Sequence, residues 1–347
     1  MISVAIACTE APTSIGGGRA PLLTAQVGPR GTYDCAADQS QIAVSECDAL
    51  VTFFAATGGV GWSQSSGWLQ TATPCSWFGV RCGPNGVTGI HLSFNDLVGT
   101  LPREVANLPG LTDIDLSFNQ LAGALPPELG SLANLNSLVL TRNFFVGSLP
   151  PEFGNLGQLT ELRLAVTGLR GRIPSTLGRL SRLRELHLSL NNLEGAIPPE
   201  LGQLGSLERL HLESNRLGGS IPPSLGRLGA LRWLRLDQNG LAGRIPESLG
   251  RLSRLELLYL QRNRLSGGIP SSLGNLGALD QVALEWNDLS GTVPLPVAQL
   301  LHNVEVSAPS GGCSIHNNPS LRMGGGMLYH EVDQDGDGFI CGLALSR

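Results

Sequence analysis

Apolar and polar residues alternate in short blocks that return every 24 residues along most of the chain. One block reads LGSLERLHLESNRLGGSIPPSLGRL at 204–228. Around Leu210 and Leu212 each apolar position is followed by a polar one, which predicts a short half-buried strand. The step is kept without insertion or deletion over 87–302, so we predict nine structural repeats in this span.

Asparagine follows the predicted strand in every repeat except one, where Thr167 takes its place. The members of this ladder are Asn95, Asn119, Asn143, Asn191, Asn215, Asn239, Asn263 and Asn287. Because an amide offers both donors and an acceptor, a buried Asn can bond the backbone of its own coil and of the neighbouring coil. We therefore expect a ladder of stacked amides that weakens at Thr167. Columns of Gly and Pro keep the same step and predict a turn behind each strand.

A single coil of this kind cannot bury its leucines, whereas stacked neighbours can, so the chain is predicted to be one solenoid. The unit LxxLxxLxLxxNxLxGxIPxxLGxL resembles the plant-type leucine-rich repeat of plant receptor ectodomains and polygalacturonase-inhibiting proteins. The resemblance implies an α/β solenoid of horseshoe form with a parallel β-sheet on its concave face. It also implies that this face binds partner proteins, peptides or glycans.

We divide the chain into a flexible leader at 1–34, an N-terminal cap at 35–86, the repeats at 87–302 and a C-terminal cap at 303–347. The segment 48–82 resembles the N-terminal cap of such proteins, in which a short helix precedes a W-x-G-V-x-C hairpin. That resemblance implies that Trp68, Trp77 and Val80 seal the first coil.

Seven cysteines lie outside the nine repeats, which favours disulfides that staple the caps. Proximity along the chain suggests pairing of Cys35 with Cys47, Cys75 with Cys82 and Cys313 with Cys341, although six cysteines allow 15 pairings. Cys8 is left over. It is either a free thiol in the leader or the lipid-anchor site of a secretion signal whose start is missing.

The segment DQDGDGFIC at 333–341 has the spacing of a calcium loop. Its ligands would be the carboxylates of Asp333, Asp335 and Asp337 and the carbonyl of Phe339. The segment also resembles the extracellular excalibur motif DxDxDGxxCE, but Gly342 replaces the final Glu. We therefore expect either a weak Ca²⁺ site, with a dissociation constant on the order of 10⁻⁴ to 10⁻³ M, or an acidic turn without metal. No other cofactor is expected.

Residues four and six positions before each ladder position, and those one and two before it, are expected to point into the concave groove. The candidate ligand-binding residues in these columns are Arg163, His187, His211, Trp233, Arg235, Leu257, Tyr259, Arg262 and Trp286. Exposed Trp, Tyr and Arg are typical of binding hot spots. The alternative is that strands favour aromatic residues in any case and that solvated Arg serves solubility. The adjacent histidines allow a metal or a pH response, but we expect two solvated side chains.

These features favour a non-enzymatic recognition protein, secreted or at the cell surface and monomeric, that binds a protein, peptide or glycan. The alternative function is inhibition of a secreted cell-wall hydrolase. A net charge of −5 argues against nucleic acid as a partner, and no stretch is long and apolar enough to span a membrane. The chain lacks the G-x-S-x-G, H-E-x-x-H and P-loop motifs. Glu161 and Glu185 have the spacing of a retaining glycosidase pair, but many adjacent surface pairs share it.

Overall fold

The computed structural model describes residues 33–307, 313–315, 317–318, 320–323, 327–329 and 343–345. Their main feature is an 11-stranded sheet whose strand order follows the chain. The first two strands are antiparallel, and every later strand joins in parallel. The predicted fold class, a leucine-rich repeat solenoid with a parallel sheet, is confirmed.

The strands of this main sheet are β1 (Val80–Gly83), β2 (Gly86–His91), β3 (Asp113–Asp115), β4 (Ser137–Val139), β5 (Glu161–Arg163), β6 (Glu185–His187), β7 (Arg209–His211), β8 (Trp233–Arg235), β9 (Leu257–Tyr259), β10 (Gln281–Ala283) and β11 (Cys313–Ser314). From β3 to β10 each strand is three residues long and centred on an inward aliphatic residue, such as Leu210 in β7. Because β-strands alternate their side chains, the central residue is buried and its two neighbours face outward.

After each main strand, the chain forms a second short strand. A 3₁₀ helix then follows the proline that recurs every 24 residues. The second strands form three small sheets: Val98–Thr100, Gln120–Ala124 and Phe144–Val146; Arg170–Gly171, Asn192–Ala196 and Arg216–Gly218; Ala242–Gly243, Arg264–Gly267, Asp288–Val293 and Ser320–Met323. The 3₁₀ helices are Arg103–Asn107, Pro127–Ser131, Pro151–Asn155, Ser175–Arg179, Pro199–Gln203, Pro223–Arg227, Glu247–Arg251 and Ser271–Asn275. An antiparallel pair, Met327–Tyr329 with Leu343–Leu345, follows.

The leucines of each repeat fill the space between the main sheet and the 3₁₀ helices. In the repeat at 204–228, Leu207, Leu210, Leu212 and Leu217 are fully buried, and Ile221 is 1% exposed. Each such side chain contributes roughly 1.5 to 3 kcal/mol when removed from water. Most of this gain offsets the entropy lost by ordering the chain.

The amide ladder forms as the sequence predicts. Asn119 donates from Nδ2 to the carbonyls of Leu92, one coil back, and of Leu116 in its own coil, at 2.8 and 2.9 Å. Its Oδ1 accepts from the backbone N–H of Leu97 at 3.0 Å. One buried side chain therefore satisfies backbone groups on two coils that no regular strand or helix would satisfy.

The ladder is interrupted on one side of Thr167. Its hydroxyl lies 2.9 Å from the Leu164 carbonyl and 2.9 Å from Asn191 Oδ1, so the link toward the next coil is kept. Toward the preceding coil, an Asn would donate to the Leu140 carbonyl and accept from the Phe145 N–H. Within the described part of the chain, Thr167 makes neither bond, so the expected local weakening is confined to that side.

The N-terminal cap has the predicted helix and hairpin. Helix α1 (Val44–Ala56) precedes the β1–β2 hairpin. Trp68 and Trp77 are each 1% exposed and Val80 is 7% exposed. The three side chains are packed in the interior at the start of the solenoid, as the family resemblance implies.

Two of the expected disulfides are present, Cys35–Cys47 and Cys75–Cys82, with Cα separations of 5.7 and 5.5 Å. The third expected pair, Cys313 with Cys341, lies outside the residues whose side chains the structure describes, as does Cys8. The same holds for the expected calcium ligands, Asp333, Asp335, Asp337 and Phe339.

The solenoid continues beyond the predicted boundary at 302. Helix α2 (Leu295–Ser307) takes the place of a 3₁₀ helix, and β11 then joins the main sheet beside β10. Asn318 donates to the carbonyls of Leu284 and Ile315 at 3.1 and 2.8 Å, so it extends the amide ladder. The sequence interpretation missed this coil because the longer helix breaks the 24-residue step.

We expect Thr167→Asn to stabilise the protein and Asn191→Ala to destabilise it. The first change restores an amide to the ladder and should raise the free energy of unfolding by about 1 kcal/mol. The second leaves the Leu169 N–H without its side-chain acceptor and should lower that free energy by about 2 to 3 kcal/mol. Urea denaturation followed by circular dichroism measures both. A lower stability for Thr167→Asn, or no change for Asn191→Ala, would contradict this view of the ladder.

We expect Gly202→Ala to destabilise the solenoid because a Cβ at this position would lie 2.4 Å from the carbonyl oxygen of Ser224 in the next repeat. A loss of about 1 to 3 kcal/mol is typical for such overpacking. Gly205→Ala is the matched control, since nothing lies within 4 Å of its Cβ position. The control should leave the urea midpoint unchanged or slightly higher, and equal losses in the two variants would refute the steric explanation.

Candidate binding surface

The outward side chains of the main sheet form a continuous surface, which we call the open face. Neighbouring strands pair in exact register, so Glu185 lies beside Arg209 and His187 beside His211. Residues six and four positions before each ladder position therefore form two parallel rows. The columns read from the sequence are rows of direct neighbours in the structure.

A shallow depression of about 500 Å³ lies on the open face at the N-terminal repeats. Its lining includes His91, Asp113, Asp115, Glu161 and Arg163. This part of the surface is acidic, and among the residues that the sequence singles out its lining includes Arg163 and His187 but neither Trp233 nor Tyr259.

Arg163 joins the two glutamates that have the spacing of a glycosidase pair. Its Nε lies 2.6 Å from Glu161 Oε1 and 2.9 Å from Glu185 Oε1, and its Nη2 donates to Glu185 Oε2 at 2.9 Å. Both carboxylates are thus engaged by one guanidinium. Neither is placed as a free nucleophile or as a proton donor, which weakens the glycosidase alternative.

Trp233 is the centre of an ordered aromatic group at the C-terminal repeats. Its side chain is 36% exposed, and the guanidinium of Arg209 lies over the ring at 4.7 Å. The ring N–H donates to Glu256 Oε2 at 3.4 Å, and the ring of His211 lies edge-on at 6.0 Å. Arg209 in turn contacts Glu185 at 3.4 Å. These contacts fix the orientation of the indole before any partner binds.

Arg235 and Tyr259 form a second stacked pair, with the guanidinium 5.4 Å from the ring centroid. Arg235 lies above two buried carboxylates, 3.2 Å from Glu213 Oε1 and 3.5 Å from Asp237 Oδ1. Asp237 is fully buried, and burial raises its pKa although Arg235 opposes the shift. Both acids lie two positions before a ladder position and contact Arg235 on the open face, but they are buried beneath it and not exposed in the groove.

His187 and His211 contact each other, with ring centroids 4.7 Å apart. The expectation of two solvated histidines is wrong, because His211 is only 8% exposed between the rings of His187 and Trp233. Burial, followed by the neighbouring His211, lowers the pKa of His187 to about 4. The His187 imidazole is therefore neutral at pH 7.

The remaining candidate residues divide between strand and rim. Leu257 is half-buried and lies beside Trp233 in the strand register. Arg262 and Trp286 lie in the turns after their strands, where φ is +55° and +56°, and Trp286 is 52% exposed. We call Arg209, Trp233, Arg235, Leu257, Tyr259, Arg262 and Trp286 the aromatic–arginine patch.

The rim contains further exposed side chains that the sequence interpretation left out. The residue before each ladder position has a φ between +53° and +56° in all nine repeats, which directs its side chain to the edge of the open face. Phe94 and Phe118 stack at 4.0 Å in this row and are 70% and 40% exposed, with Arg142 over the second ring at 5.3 Å. Reading the whole column, rather than its end at Arg262 and Trp286, would have found them.

Comparison with known proteins places these repeats in context. The Leucine Rich Repeat family profile matches 110–132, 134–156, 182–204, 206–228, 230–252 and 254–276. No curated protein matches the chain by sequence. Within the described residues, no helix is long and apolar enough to cross a bilayer.

Three solved structures are similar to this chain. The ectodomain of the receptor kinase GASSHO1/SCHENGEN3 from Arabidopsis thaliana, in complex with CASPARIAN STRIP INTEGRITY FACTOR 2, is 34% identical, with a TM-score of 0.60 over 72% of this chain and 34% of that chain. The Arabidopsis receptor kinase HAESA, in complex with the peptide hormone IDA and the co-receptor SERK1, is 32% identical, with a TM-score of 0.56 over 72% and 47%. The PEPR1–AtPEP1 complex is 29% identical, with a TM-score of 0.69 over 81% and 42%.

The chain spans less than half the length of each of these structures. The sequence identity and the structural similarity refer to the aligned repeats, and the longer chains of the other proteins do not affect them. The chain is therefore built of leucine-rich repeats, and its solenoid is structurally similar to the ectodomains of plant receptor kinases.

Proposed function

We propose that this protein is a recognition module that binds an extended peptide, or an extended segment of a protein, on its open face. The observation that carries the proposal is the aromatic–arginine patch, in which Trp233 is partly exposed yet held on three sides. Large aromatic groups and guanidinium planes supply most of the energy at protein interfaces.

The order of the patch favours binding. Arg209 is positioned by Glu185, and Arg235 is positioned by Glu213 and Asp237, so both guanidinium groups are fixed over their rings. A partner then loses little affinity to the ordering of these side chains. The in-register rows suit an extended chain, because side chains recur at the strand spacing of about 4.8 Å.

The balance of charge on the open face favours specificity over long-range attraction. Arg163, Arg209 and Arg235 each contact at least one carboxylate, so the surface presents paired charges and not a basic field. Such a surface selects a partner through hydrogen bonds and ring contacts. It is a poor fit for the phosphate backbone of nucleic acid, which needs unpaired cations.

Similarity to known ectodomains supports the peptide class of partner. HAESA is described in complex with the peptide hormone IDA and the co-receptor SERK1, and its repeats align with 72% of this chain. The disulfides Cys35–Cys47 and Cys75–Cys82 are typical of proteins that work in an oxidising compartment. We therefore propose that the protein acts outside the cytosol, either secreted or at the cell surface.

We expect peptides selected against this protein to depend on the patch. Binders are selected from a random-peptide display library, and their affinities are measured by calorimetry for the original protein and for Trp233→Ala, Tyr259→Ala and Trp286→Ala. Loss of a hot-spot ring should weaken binding by about tenfold or more in each case. Phe144→Ala is the matched control, because this ring is 64% exposed but lies on one of the small sheets.

Two results would contradict the proposal. One is a selected set whose affinity depends on Phe144 and not on Trp233. The other is a failure of the library to give binders while oligosaccharides bind and compete at Trp233, which would assign the patch to glycans.

A further inference from the structure

We propose that His187, His211 and Glu213 form a binding site for a divalent transition-metal ion, with Zn²⁺ as the best fit. One ligand atom from each of the three side chains lies within 4.8 Å of the others. In the part of the chain that the structure describes, they are the only group of three or more His, Cys, Asp or Glu residues so arranged. The site does not depend on the peptide-binding role proposed above.

The fold brings the three ligands together by strand register. His187 on β6 and His211 on β7 are direct partners in the parallel ladder, and Glu213 follows His211 by two residues. A tetrahedral zinc ion with bonds of about 2.0 to 2.1 Å needs ligand atoms roughly 3.3 Å apart. The side chains therefore need to close by about 1.5 Å at most, which small rotations about their χ angles provide.

Glu213 carries the second observation that points to a ligand. Its side chain is buried, at 6% exposed, and within the described residues its Oε2 atom has no hydrogen-bond partner. Its other oxygen is the one that contacts Arg235 and His211, at 3.2 and 3.7 Å. A buried carboxylate oxygen without a partner is unfavourable. A metal ion at this point would give Oε2 a partner.

The charge around the site suits a dication. The guanidinium of Arg235 contacts Glu213, but the charges of Glu213 and Asp237 together outweigh the charge of Arg235. His187 Nε2 lies 2.7 Å from Ser189 Oγ, a contact that holds the ring in place as outer-shell partners of metal-binding histidines do.

The ligand set decides between metals. Two imidazole nitrogens and one carboxylate oxygen suit Zn²⁺, Co²⁺, Ni²⁺ or Cu²⁺, whereas Ca²⁺ and Mg²⁺ prefer oxygen ligands only. Three protein ligands leave a fourth position for water or for a group from a partner. The ring of Trp233 lies 6.0 Å from that of His211, so its fluorescence reports on the site.

The test is metal titration of the full chain with its free thiols alkylated and with Ca²⁺ in excess, so that neither thiols nor the acidic C-terminal loop bind the added metal. Zn²⁺ is titrated by calorimetry, and Co²⁺ is titrated by visible absorption and by quenching of tryptophan fluorescence. We expect one equivalent of each metal and the intense visible bands of tetrahedral Co²⁺. His187→Gln and Glu213→Gln should each weaken binding by about tenfold or more.

His91→Gln is the matched control, because His91 occupies the same row but is not one of the three proposed ligands. This variant should bind both metals as the original protein does. Equal Zn²⁺ affinity in the original protein and in His187→Gln would overturn the proposal. Absence of Co²⁺ bands in the original protein would overturn it as well, whatever the stability of the buried Glu213→Gln variant.

Discussion

The amide ladder is the interaction on which the rest of the structure depends. In the turn after each main strand, the chain leaves the sheet, so its backbone N–H and carbonyl groups cannot pair with a neighbouring strand. An unpaired buried N–H or carbonyl group is strongly unfavourable. Asn119 and its equivalents satisfy those groups from the neighbouring coil, and this requires the same distance between coils at every step. Constant spacing then brings the strands into register. As a result, leucines of neighbouring repeats pack together in the interior, and the outward side chains form continuous rows on the open face.

Register also determines the character of the open face. Residues that lie 24 positions apart in the chain become direct neighbours, and so a glutamate, an arginine and a tryptophan on successive strands make one connected group. The arginines stack on rings because acids beside or beneath them fix their direction. Trp233 owes its fixed orientation to residues from three repeats, and no single repeat contains that information.

The sequence predicts those features that depend on a local pattern. The strand around Leu210 and the pairing of Cys35 with Cys47 follow from spacing within one segment, whereas the burial of Trp68 and Trp77 follows from the resemblance to the N-terminal cap of leucine-rich repeat proteins. The sequence interpretation missed features that depend on the size and contacts of side chains from neighbouring repeats. His211 is polar and sits at an outward position, yet it is covered by the rings on both sides and by its contact with Glu213. Asn318 was missed for a different reason, because helix α2 is longer than the element that it replaces and shifts the coil out of phase.

The rim row combines a fixed backbone with side chains that lie outside the leucine core. A left-handed conformation is unfavourable for most residues with a Cβ, by roughly 1 to 2 kcal/mol, and most of all for β-branched residues. Phe94, Leu190, Gln238 and Trp286 all adopt it, and none of them belongs to the leucine core. Exchange of one unbranched side chain for another in this row therefore changes the chemistry at the edge of the sheet and leaves the buried leucines in place.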